Sequence, residues 1–159
     1  MTTAHFLSAR LRELFIDGTW IASTNYTAVL AGVPFEVAIQ SPHGLNSMAA
    51  LTFHMNYYLE GLIQVLQGGP LTISDRYSFD APLLDNEADW QQRVQRFQSN
   101  AQLFIDLVER MDELQWQQPF VSAQYGTWQR NIEGVLEHGH YHLGQMVLIK
   151  KLVMSPTSS

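Results

Sequence analysis

The chain has 159 residues, 46% of them hydrophobic and 15% charged, with a formal net charge of −6 and no cysteine. That is the length of one domain able to bury a core of its own, and with no basic cluster beyond Lys150-Lys151 it lacks a phosphate-neutralising surface, which excludes nucleic-acid binding as its main role. Without cysteine there is no disulfide framework, iron–sulfur cluster, thiolate-ligated zinc or protein thiol nucleophile, so any metal must be held by His, Asp or Glu. Arg10, Arg12 and Glu13 interrupt the N-terminal apolar residues and no apolar stretch reaches membrane-spanning length, so the reading is a cytoplasmic protein without a membrane partner.

Proline is costly inside a helix, and Pro34, Pro42, Pro70, Pro82, Pro119 and Pro156 divide the chain into four long proline-free segments. In the first, from about Thr3 to Ala31, Leu7, Leu11, Leu14, Gly18 and Ile21 alternate spacings of four and three, the pattern of one helix face. Ser41-Pro42 reads as the N-cap and first position of the second helix, which carries Leu45, Met48, Thr52, Met55, Leu59, Leu62 and Leu66 along one face and ends at Gly68-Gly69-Pro70. The third is capped by Asp85 or Asn86 and keeps the alternation through Trp90, Val94, Phe97, Ala101, Phe104, Val108 and Met111. The fourth follows Gly126-Thr127 and runs Trp128, Ile132, Val135, Gly139, His142, Met146, Ile149 and Val153, with a glycine and a histidine where packing would favour leucine.

Four helices with one apolar face each can bury those faces only against one another, which predicts an all-α four-helix bundle. The short connection 33–41 suggests that the first two helices are antiparallel neighbours, whereas residues 69–85 are long enough to cross the whole bundle. We expect a single domain over residues 1–154 and a flexible tail over 155–159.

Three of the six histidines fall within Glu137-His138-Gly139-His140-Tyr141-His142. Residues four apart share a helix face, so His138 and His142 can offer two imidazoles to one ion while His140 points elsewhere. His54 on the second helix lies near the same depth and supplies a third. A lone helical histidine is usually a polar surface residue, but a pair flanking an apolar seam is costly without a partner. Three neutral imidazoles suit zinc, nickel, iron or copper and leave an open position, as catalytic sites do. Gly139 and Gly18 remove side-chain volume from the interior, and Gly134 and Gly144 weaken the same helix, which a cavity beside the histidines would explain in part. Tyr58 and Gln145 are spaced to hydrogen-bond a ligand's second nitrogen or a bound water. The repeated Glu-x-x-His pattern of di-iron bundles is missing.

The run Glu137-His138-Gly139-His140-Tyr141-His142-Leu143-Gly144-Gln145, together with Ser41-Pro42-His43-Gly44-Leu45 and His54, resembles the signature of the DinB-like superfamily of metal-binding four-helix-bundle proteins. The resemblance implies an up-down-down-up bundle with a long crossover between the second and third helices. It also implies one divalent transition metal on His54, His138 and His142, zinc or nickel foremost, with iron, manganese and copper as alternatives. By the same resemblance the protein is expected to activate a low-molecular-weight thiol on the metal for transfer to a small electrophilic substrate. Hydrolysis by metal-bound water and a non-catalytic metal-binding or sensing role are the alternatives. Relatives often form homodimers, which the resemblance allows here. It fixes no general base.

Overall fold

The computed structural model describes residues 1–154, so the expected tail at 155–159 lies outside the described residues. The fold is all-α. Its helices are α1 (Thr3–Arg12), α2 (Tyr26–Leu30), α3 (Phe35–Ala38), α4 (Met48–Leu66), α5 (Glu87–Glu109) and α6 (Trp128–Met154), and α1 continues through a π-helical turn, Glu13–Asp17. Among the described residues no helix is long and apolar enough to cross a membrane.

The seams of α4, α5 and α6 are buried much as their spacing implies. Met48, Thr52, Met55, Leu59 and Leu62 are buried on α4, Trp90 through Val108 on α5, and Trp128, Ile132, Val135, His142, Met146 and Ile149 on α6. Asn86 is the α5 cap, its side chain accepting from the Asp89 amide.

The N-terminal region departs from the expected single helix. Gly18 is extended and terminates the π turn, Ile21 is 59% exposed, and the chain then folds into the short α2 and α3. Tyr26 from α2 is fully buried against Phe15 and Phe97, and it contributes to the core the bulk that the broken seam would otherwise lack. The second helix also starts later than Ser41-Pro42 suggests. His43 takes a left-handed backbone (φ 52°) in a 3-10 turn, Pro42–Gly44, and the cap is Ser47, whose hydroxyl accepts from the Ala50 amide. A left-handed residue cannot continue a right-handed helix, so helix formation waits for the next capping side chain.

Nor are α1 and α4 neighbours: α1 packs on α5 and α6, and α4 packs on the same two. Directions follow from side-chain pairs. Thr3 meets Glu113 and Arg12 meets Gln102, so α1 runs opposite to α5. Arg93 reaches the Ala49 carbonyl and Asn100 reaches Asn56, so α5 runs parallel to α4. A parallel pair requires the chain to travel back the length of the helix, and residues 67–86 do so along α4. Thr72 bonds Gln64, Ile73 lies over Gly61, Tyr57 and Ser74 exchange hydrogen bonds, and Tyr58 donates to Asp75. Gly61 is required by this return path, because a Cβ there would lie 2.5 Å from Ile73 Cγ2.

Candidate metal centre

The return path brings three elements together at the N-terminal half of α4. His54 projects from α4, His138 and His142 from successive turns of α6, and Ser78 and Phe79 from the crossing segment. The three histidines form a group whose ring nitrogens lie within 4.8 Å of one another. His138 Nε2 is 3.1 Å from His54 Nε2 and 2.8 Å from His142 Nε2.

Protonation can be argued from the outer nitrogens. His54 Nδ1 lies 3.1 Å from the Ser78 carbonyl, and His142 Nδ1 lies 2.7 Å from Gln145 Oε1. A carbonyl oxygen only accepts, so both Nδ1 atoms carry the proton and both Nε2 atoms present lone pairs. Burial holds all three imidazoles below the ordinary histidine pKa, His138 at about 4 with the neighbouring His142 and His54 adding to the effect. Three neutral rings therefore aim Nε2 atoms at one region, where either one proton, on His138, meets two lone pairs or three lone pairs face each other with none. Such a donor set lacks a positive centre. Nitrogens bound about 2.0–2.1 Å from one ion sit roughly 3 Å apart, so the spacings fit a shared divalent cation.

The walls are specific. Phe79 stacks on the His54 ring, centroids 3.9 Å apart, and the Tyr58 ring stands edge-on to His54 and His138 at 5.1 Å from each. Gln145 thus contacts a candidate ligand directly. The Tyr58 hydroxyl instead donates to Asp75 Oδ1 at 2.8 Å, and burial together with that bond keeps it protonated. Ser78, Phe79 and Asp75 are absent from the sequence reading. The first acts through its backbone carbonyl, which any residue possesses, and the others stand in a segment without helical spacing.

The remaining histidines lie apart. His140 Nδ1 donates to the Leu136 carbonyl of its own helix, His5 faces Glu109 on the surface, and His43 sits in the left-handed turn. Gly139 makes no cavity: Leu14 fills its space and Tyr26 donates to its carbonyl at 2.8 Å. Gly18 ends a helix and opens no space either. The open volume lies on the other side of His138, in a cleft of about 640 Å³ between α4, the crossing segment and α6 that includes Tyr58, Asp75 and Gly134 in its lining.

A family model described as the DinB superfamily matches residues 22–146, which include all three histidines. No curated protein and no solved structure matches the chain.

Proposed function

The chain belongs to the DinB superfamily, and on that premise we propose that it is an enzyme holding one divalent transition metal, zinc or nickel foremost, on Nε2 of His54, His138 and His142. The observation that carries this reading is the convergence of three neutral imidazoles, one of which, His138, lines an open cleft. A bound divalent ion supplies Lewis acidity that makes a thiol or water a nucleophile near neutral pH.

The protein's own groups have separable tasks. The Ser78 carbonyl and Gln145 Oε1 fix two ring orientations and keep protons off the inner nitrogens, which raises ligand basicity. Phe79 stacks on the His54 ring and covers the cluster there. The cleft, which Tyr58 and His138 both line, admits a small substrate. With no side-chain thiol in the chain, transfer chemistry takes its sulfur from a low-molecular-weight thiol, and a small electrophile in the cleft is the acceptor. Hydrolysis is the second reading, and the observation favouring it is Asp75, a carboxylate that the crossing segment brings to the cleft beside His138. A sensing module needs no such cleft.

Two measurements test the proposal. Elemental analysis of the purified protein should find about one transition metal per chain, sharply reduced in His54→Ala, His138→Ala and His142→Ala and retained in His140→Ala and His5→Ala. Equal metal content in all five variants would refute the ligand set. A panel of physiological thiols with a haloarene or an epoxide, run beside ester and amide substrates without thiol, then separates the two chemistries, with His142→Ala as the blank. Chelator-sensitive thiol loss supports transfer, and thiol-independent cleavage supports hydrolysis. No metal-dependent turnover in either screen removes the enzymatic reading.

A further inference from the structure

Arg130, Gly134 and His138 lie four residues apart along one face of α6, and all three line the cleft. That places a cation, a bare stretch of helix and the edge of the histidine cluster in a row about 12 Å long. Gly134 is the glycine of α6 that lines the cleft. Gly61 and Gly139 are each pressed by a neighbouring side chain, but the atom nearest to a Cβ at 134 is Arg130 Nη1 at 4.0 Å, ordinary contact distance. Neither packing nor backbone conformation calls for glycine there. Helix propensity disfavours it, and what the missing side chain leaves is room beside the Arg130 guanidinium at the cleft surface.

Arg130 is the cationic residue of that lining, and its guanidinium lies over the Gly134 turn. Glu137 Oε2 accepts from Nη1 at 3.0 Å, in a pair whose side chains are 60% and 66% exposed. Such a solvated pair is weak, and the bond to Glu137 uses one nitrogen of a fork that can bind a carboxylate through two. Leu62, Val135 and Phe120 give the cleft apolar walls. Asp75, the acid in the lining, already accepts from Tyr58.

We infer that the cleft is a binding site for a small organic acid: the carboxylate sits on Arg130, the apolar body passes beside Gly134 between Leu62, Val135 and Phe120, and the far end reaches the His138 side of the cluster. The last element rests on the role proposed for the histidines; the first two do not. Gly134 sets the size of the body the site accepts, and Glu137 competes with the ligand for Arg130.

The test uses 4-phenylbutanoate and its neutral amide as probes, titrated calorimetrically into the protein with its metal and after chelation. The acid should bind at least tenfold more tightly than the amide in both forms. Arg130→Gln should erase that preference, and Glu137→Gln should tighten the acid several-fold while leaving the amide unchanged. Gly134→Leu should abolish binding of both probes while raising the melting temperature, and Gly134→Ala should weaken them less. Equal binding of acid and amide, a preference that survives Arg130→Gln, undiminished binding to Gly134→Leu, or no binding of either probe would overturn the inference. Elemental analysis of the same preparations keeps the two proposals apart. Loss of the acid preference with metal content intact defeats only the cleft assignment, and an acid preference in a protein that carries no metal as purified and takes none up when it is supplied defeats only the metal reading.

Discussion

His138 is half-buried and stands between the other two imidazoles, and both facts oppose its protonation. Its pKa falls to about 4, first through burial and then through His142 and His54, and those two are lowered mainly by burial. The unfolded chain takes up protons near pH 6.5 at each ring, before the folded protein does. Stability contributed by the neutral rings is therefore present above about pH 6.5 and is lost as the pH falls from there toward 4. Urea midpoints of the metal-free protein should drop steadily across that window, and His138→Gln should flatten the drop. A midpoint constant from pH 7 to 4.5 would contradict the burial argument. Metal, which needs all three rings unprotonated, should leave before the helices unfold on the same descent. At this scale the ligand candidates were legible, because His138 and His142 stand four apart on a regular helix. Ser78 was not, since what it contributes is a carbonyl.

The elements differ in how openly they show themselves, and the glycines explain why. Along α5 every seam position packs inward and the spacing alone describes the helix. Along α6 the same spacing holds, but its glycines serve unlike ends that a pattern of four and three does not distinguish. A Cβ at Gly139 would come within 2.5 Å of Leu14 Cδ2, whereas at Gly144 it would meet nothing within 4 Å. Gly139→Ala should therefore destabilise the protein despite alanine's better propensity, and Gly144→Ala should stabilise it by about 0.5–1 kcal/mol. Chemical denaturation of the two variants checks the opposite signs; a gain from Gly139→Ala would mean that the α1–α6 contact yields easily. The N-terminal segment departs from its spacing for a related reason. Gly18 continues a seam in sequence, yet its backbone is extended, and the aromatic bulk of Tyr26 enters the core from a second short helix. Periodicity carries no information about which buried aromatic arrives from a turn away.

At the scale of the whole molecule, the histidines meet because α4 packs on α6, and the parallel run of α5 and α4 compels residues 67–86 to return along α4 and lay Ser78 and Phe79 against His54. The length of that connection signalled a crossover; its contacts with the site were beyond any spacing rule. The core is built elsewhere. Leu7, Leu11, Leu51, Leu59, Trp90, Phe97, Phe104 and Ile132 are buried on α1, α4, α5 and α6 without the help of the histidines, and the Trp90 indole donates to the Val33 carbonyl at 2.7 Å to fix α5 against the chain before α3. The fold should therefore stand without metal. Binding only the native state adds about 2.7 kcal/mol when free metal is 100 times its dissociation constant, so chelation should lower the melting temperature while far-UV circular dichroism at pH 7.5 keeps its helical amplitude. The part of the crossing segment that depends on the cluster is Ser78-Phe79, whose hold on His54 is one hydrogen bond and one stacked ring. Hydrogen exchange in the chelated protein should speed up around these two residues and stay slow in α5. If helicity instead disappears in step with the metal, the ion is a folding element as in a zinc finger, and the case for an open catalytic position on the histidines weakens with it.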